Sequence, residues 1–300
     1  MITWMLFAYV FLGSGASENA IFLRDASRAS SWRTVIEQSG RFRILWLPVG
    51  LLWILLGILY VKNILFFFVP PLLIFTLALA LTLGPIIVEE RTKSRWEFLL
   101  AVPYDTNAIL LGKASGALWH IRVLTYTIGI LLMSAAAVIG ITSLTLIPVD
   151  TIQSGGWHDV ILYAAMFAVP VLGSLLFLFD RIQYYALLAV AALASGTAAR
   201  SIRAAMLTSI VAVLSIWLAE IVVVETLLTL ERGETWRLNF TSILSAATLG
   251  PMASYMSRID LGYAVLFIIG TLLLRELLLA ALWRWTLRSA RNRSGIGAVN

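Results

Sequence analysis

The chain has 300 residues, of which 60% are hydrophobic and 13% charged, with a mean hydropathy of +0.92; soluble domains use about 45 to 50% apolar residues, so a water-soluble globule is excluded and a multi-pass membrane protein is expected. The net charge of +6 does not point to nucleic acid, because the basic residues fall at the ends of apolar runs, where they set orientation across a bilayer, and no DNA-binding motif accompanies them. With no cysteine, disulfides, thiolate metal sites and cysteine nucleophiles are excluded, and His120 and His158 are too few and too far apart for a metal site.

Met1 to Leu12 is apolar but shorter than the ~20 residues a helix needs to cross a bilayer, and no basic region precedes it as a signal peptide requires; it reads as an interfacial or short extra helix. Residues 18 to 43 carry Arg24, Arg28, Arg33, Arg41 and Arg43, with Ile21, Phe22, Ala26 and Ala29 near helical spacing. That pattern predicts an amphipathic helix on the cytosolic membrane surface, so residues 1–43 form an N-terminal region of their own.

Six spans follow in a single all-α transmembrane domain, residues 44–283. Ile44 to Val61 and Ile64 to Val88 form a tight hairpin around Lys62-Asn63, with Pro70-Pro71 and Pro85 expected to kink the second span. After a polar loop at 89–120, the third span runs from Ile121 to Ile147. Residues 160 to 199 are about 40 mostly apolar positions interrupted by Pro170 and Asp180-Arg181-Ile182-Gln183. Two crossings there would put Arg200, Arg203 and the tail arginines outside. One crossing puts 16 of the 22 basic residues on the cytosolic side, as the positive-inside bias favours. The fourth span is therefore Val171 to Ala199, preceded by an external interfacial helix. Ala204 to Leu230 is the fifth, residues 231–260 an outer segment, and Leu261 to Trp283 the sixth. Residues 284–300 form a basic cytosolic tail whose Ser-Gly-Ile-Gly end is expected to be disordered.

The most informative stretch is Glu89 to Lys113. Glu89, Glu90, Arg91, Lys93 and Arg95 give it a polar start; Trp96, Phe98, Leu99 and Leu100 then put large apolar side chains within about one and a half turns. Pro103 closes this short helix, and Asp105 or Thr106 is placed to cap a second one. An exposed Trp, Phe and Leu beside a break form a docking surface for a partner, or a face resting on lipid headgroups. Leu111-Gly112-Lys113 lacks the earlier glycine and the Ser or Thr of a phosphate loop, having Asn107 and Ala114 there, so nucleotide is not expected to bind this chain. Gly112 and Gly116 fit the small-xxx-small spacing of closely packed helices.

Glu90, Arg91, Trp96-Glu97, Leu99-Leu100, Pro103 and Ile109 to Gly112-Lys113 resemble the first cytosolic loop of permeases in the type-2 ABC exporter family, where a Glu, a basic cluster, Gly-Thr-aromatic-Glu, a Leu pair, Thr-Pro and a late Leu-Gly-Lys recur. This chain departs from that pattern at Ser94-Arg95 and Val102-Pro103. Ser195 to Ala205, SGTAARSIRAA, resembles a cytosolic turn of the same permeases. The resemblance implies a coupling helix made by Arg95, Trp96, Glu97, Phe98, Leu99 and Leu100, seated in a cleft of a separate cytosolic ATPase subunit. It also implies a second permease chain, identical or not, in a multi-pass protein of the cell membrane, bacterial by analogy. ATP and Mg would be bound by the partner subunit, with no cofactor and no catalytic residue in this chain.

Charged side chains inside spans cost roughly 2.5 to 3.5 kcal/mol each at mid-bilayer on insertion scales and so face the protein interior. Here they are Asp180, Arg181, Glu220, Arg275 and Glu276, read either as the lining of a substrate path or as structural pairs between helices. At 1.5 Å per residue, Glu220 and Arg181 lie about 24 and 27 Å from the inner ends of their spans, and Arg275 and Glu276 about 10 to 12 Å. On that reckoning Glu220 pairs with Arg181, and Arg275 does not reach it. Two other classes remain. A self-sufficient secondary transporter would be expected to show inverted repeats, and none is evident. An intramembrane protease needs acidic and histidine ligands at one depth, whereas His120 and His158 fall on opposite sides.

Overall fold

The structure is a computed structural model that describes residues 3, 7, 11, 19–28, 69–93, 95–101, 104–142, 157–232 and 261–292. Among them the chain is all-helical: α1 (Ala20–Arg28), α2 (Val69–Leu83), α3 (Ile86–Thr92), α4 (Trp96–Ala101), α5 (Thr106–His120), α6 (Arg122–Thr142), α7 (Trp157–Ala198), α8 (Ile202–Arg232) and α9 (Leu261–Asn292). Four stretches are long and apolar enough to cross a membrane: Pro71–Thr92, Ala168–Ala198, Ile202–Val223 and Leu266–Asn292. A fifth is added if α5 and α6, bent by 84° at their junction, count as one broken span. The chain is thus a helical membrane protein. The expected span at 44–61, the apolar start at 1–16 apart from residues 3, 7 and 11, most of the outer segment 231–260 and the end of the tail lie outside the described residues.

Helix α7 is the axis of the fold. From Tyr184 to Ala194 every side chain is buried, because the run is apolar on all sides, as a helix surrounded by other helices must be. Its many alanines let those neighbours approach closely, and α2, α3, α6, α8 and α9 all pack against it. The most apolar part of Ala168–Ala198 is 72% buried, against 17% for that of Ile202–Val223 and 22% for that of Leu266–Asn292, so α8 and α9 leave leucine-rich faces exposed.

Several expectations are corrected here. Among the described residues no separate interfacial helix precedes the fourth span: α7 is continuous over 42 residues with Pro170 inside it. At 1.5 Å per residue that is about 63 Å, roughly twice the ~30 Å hydrocarbon core and longer than one perpendicular crossing needs. Pro70-Pro71 stand at the first described residues of α2, the chain before Val69 lying outside the described residues. Pro85 marks the α2–α3 break, at the N-cap of α3. Finally, α9 does not stop at Trp283 but runs to Asn292, taking Arg284, Arg288 and Arg291 out of the expected tail and onto a helix.

The ends of α2, α7 and α8 meet where two glycines face each other. A Cβ on Gly196 would collide with the Gly84 carbonyl oxygen, and one on Gly84 with the Ser209 hydroxyl; only hydrogen fits at either place. Ser195 and Ser209 hydroxyls bond at 2.9 Å, and Ser209 donates to the Ala192 carbonyl at 3.1 Å. The turn into α8 is tight, as expected, and Ser201 Oγ caps the helix by accepting from the Ala204 amide at 3.2 Å.

Candidate functional site

Two places gather the residues that the sequence marks out. The first is the loop unit α3–α4–α5. Helix α4 turns Trp96 and Leu99 inward, where both are buried, and leaves Arg95, Glu97 and Phe98 outward, with Leu100 at the boundary. Phe98 is 75% exposed, while Trp96 is 2% exposed. The expectation of an exposed tryptophan is therefore corrected: Trp96 is covered by this chain itself, with the Arg91 guanidinium 5.9 Å from its ring centroid. Arg91 also donates to the Thr197 carbonyl at 2.9 Å, one of the carbonyls that the end of α7 leaves without a helical donor. Asp105 takes the N-cap position of α5 but makes no side-chain cap bond. Its carboxylate instead accepts from Arg291 at 3.0 Å, and Arg291 also donates to Thr106 Oγ1 at 3.0 Å. With Trp283 Nε1 donating to Asn107 Oδ1 at 3.1 Å, the C-terminal half of α9 is fastened to the start of α5.

Helix α1 packs on α5, burying Ile21 and Phe22 against protein rather than lying on lipid headgroups. Asn19 caps α1 through its Oδ1, which accepts from the Ile21 amide at 2.9 Å, while its Nδ2 donates to the Ala108 carbonyl at 2.9 Å. The contact is close because of Gly112 and Gly116: a Cβ on either would stand 2.8 Å from Asn19 or Asp25 atoms. The buried Lys113 ammonium donates to Asp25 Oδ2 at 2.8 Å and to Glu90 Oε1 at 2.5 Å, joining α1, α3 and α5. Arg24 completes the knot, 3.1 Å from Asp25 and 3.8 Å from Glu90. Lys113 thus serves as a structural charge inside a helix, bound to two carboxylates.

The second place is a charged cluster between α7, α8 and α9 that brings together all five intramembrane candidates. Asp180 accepts from Arg181 at 2.7 and 3.0 Å and from Arg275 Nη1 at 2.5 Å. Arg275 extends its other amino group to Glu220, forming an ion pair that bridges α7, α8 and α9. Gln183 Nε2 donates to the Leu272 carbonyl at 2.9 Å and to Glu276 Oε2 at 3.2 Å, and Thr3 Oγ1 also bonds Glu276. The Tyr184 ring lies 4.7 Å from the Arg181 guanidinium carbon and 5.5 Å from that of Arg275. The depth reckoning that kept Arg275 from Glu220 fails because α9 ends at Asn292. Measured to the true helix ends, Asp180, Glu220 and Arg275 stand 18, 18 and 17 residues in, or about 25 to 27 Å each. They share a level.

Tyr184 and Thr3 are not marked by the sequence reading, and Gln183 enters it only as part of the polar interruption at 180–183. Gln183 and Tyr184 carried a signal, being polar groups beside Asp180-Arg181 in an otherwise apolar run; Thr3 carried none. His120 sits half-buried at the end of α5, and among the described residues no three His, Asp or Glu side chains gather in a metal-holding arrangement. No protein-family model, no curated protein and no solved structure matches the chain.

Proposed function

We propose that this chain is the membrane subunit of an ATP-binding-cassette exporter, coupled to a separate cytosolic ATPase through the outward face of α4. The observation that carries the reading is the division of that helix. Trp96 and Leu99 anchor it in its own subunit, while Glu97 and the 75% exposed Phe98 point away from the protein. A rigidly backed aromatic beside charged neighbours has the makings of an interface anchor. The helix is also linked to the spans on both sides, through Arg91 to the end of α7 and through α5 and Asp105 to α9. A push on α4 would therefore reach both helices. The resemblance of residues 89–113 and 195–205 to type-2 exporter permeases supports the same role, with ATP and Mg held by the partner and a second permease chain completing the path.

The test is a search for a soluble, phosphate-loop-bearing protein encoded beside this chain, followed by co-purification of the two. Phe98→Ala and Glu97→Lys are each expected to weaken association by more than about 1 kcal/mol, roughly fivefold in affinity, with the membrane fold intact. Undiminished recovery and full ATP-coupled transport from both variants would sink the assignment. A self-sufficient, ion-coupled transporter is favoured by one observation, the charged cluster at a common depth. Uptake into proteoliposomes driven by an ion gradient without nucleotide would favour it.

A further inference from the structure

At the elbow where α5 turns by 84° into α6, a narrow crevice opens between α1 and the bend, lined by Phe22, Ser115, Trp119, Arg122, Thr125 and Tyr126 among others. Arg122 is the first residue of α6, and its guanidinium carbon lies 4.9 Å from the Trp119 ring centroid. Trp119 in turn meets Phe22 edge-on at 5.7 Å. The neighbouring carboxylates, Asp25 and Glu90, are bound by Lys113 and Arg24. Among the described residues no carboxylate pairs with Arg122. A cation flanked by Trp and Tyr at the end of an apolar helix has the composition of the bilayer interface.

Above Arg122 the same face of α6 continues with Tyr126, Ile130 and Met133, spaced by four, four and three residues; these are 57%, 69% and 61% exposed. Eleven residues at 1.5 Å per residue span about 16 Å, close to half of the ~30 Å hydrocarbon core. A positive charge at one end of an apolar stripe one leaflet long matches a phospholipid lying along it.

We propose that the α5–α6 elbow binds an anionic phospholipid, its phosphate at Arg122 and an acyl chain along Tyr126, Ile130 and Met133. The choice of an anionic lipid follows from charge: zwitterionic headgroups bring their own cation to the phosphate, whereas phosphatidylglycerol leaves it for the protein to neutralise. The site is independent of any ATPase partner.

Native mass spectrometry of the full chain in detergent, loaded with equal amounts of phosphatidylglycerol and phosphatidylcholine of identical chains, tests it. The wild-type chain is expected to retain phosphatidylglycerol about fivefold over phosphatidylcholine, as one basic residue at a membrane surface can achieve. Arg122→Gln brings the ratio to near one and Arg122→Lys keeps most of it. Millimolar glycerol 3-phosphate is expected to leave the lipid adduct in place. Equal retention of the two lipids by the wild-type chain overturns the proposal, as does an unchanged preference in Arg122→Gln. Displacement by glycerol 3-phosphate overturns the lipid assignment in favour of a free phosphate ester. The wild-type comparison stands without either variant.

Discussion

Arg275 is the residue on which the charged cluster turns, and replacing it with methionine is the sharpest perturbation of the fold. The side chain is nearly buried and holds Asp180 on α7 and Glu220 on α8 at once. Asp180 keeps Arg181 at 2.7 Å, while the largely buried Glu220 carboxylate loses its described ion-pair partner. Breaking a buried pair from one side costs about 3 to 5 kcal/mol, mostly the penalty on the charge left behind. The double variant Arg275→Met with Glu220→Gln removes that orphan charge, so it is expected to recover about 1 to 3 kcal/mol relative to the sum of the single changes. Equilibrium unfolding in mixed micelles, followed by tryptophan fluorescence, measures all four corners of the cycle. Single effects that add to within about 0.5 kcal/mol would refute the bridging role of Arg275, even if each variant were strongly destabilised.

Further outcomes follow from the packing. Trp96→Ala is expected to lower unfolding stability by about 3 to 5 kcal/mol, as removal of a buried large aromatic does, while Phe98→Ala stays within about 0.5 kcal/mol of the parent; the same unfolding assay compares them, and equal losses would contradict the inward and outward division of α4. Gly196→Ala should separate α7 from the α2–α3 break and lower the midpoint of thermal unfolding, whereas Ala191→Gly, about one and a half turns earlier, should cost only about 1 kcal/mol. Lys113→Met leaves Asp25 and Glu90 with the half-exposed Arg24 as their described partner, and limited proteolysis should then cut within α1 faster than in the parent chain. Single cysteines at positions 203 and 288 of this cysteine-free chain are expected to resist an impermeant reagent applied from outside intact cells; labelling at 203 would overturn the single crossing of residues 160 to 199.

The sequence carried the helices better than their partners. Apolar runs with arginines at their ends located α7, α8 and the start of α9, because the cost of burying charge acts locally along the chain. The short helix after Arg95 was visible for the same reason, through Trp96, Phe98 and Leu99 on adjacent turns. Which of those side chains is covered was not visible, since amphipathicity marks an apolar face without saying whether its own subunit or another covers it. Arg275 shows a different limit. Taking Arg284 as the end of the span put Arg275 too near the surface, but helix propensity does not end at a membrane boundary, and α9 continues through Arg291 because Asp105 and Thr106 hold it there. The docking of α1 was hidden too. Lys113 finds its carboxylates 88 and 23 positions away, a separation that no local pattern encodes, although Gly112 and Gly116 did announce a close helix contact.

Helix α9 carries two fixed points, Arg275 in the charged cluster and Arg291 at the start of α5, sixteen residues or about 24 Å apart along a straight rod. If the cluster serves as a fulcrum, a tilt of about 5° moves Arg291 sideways by about 2 Å over that arm. Its contacts with Asp105 and Thr106 are 3.0 Å long, so a displacement of that size exceeds what hydrogen bonds tolerate. A tilt of that size has to be absorbed by the exposed Arg291 side chain or break these bonds, which makes this contact the place where the loop holding α4 would feel a movement of α9.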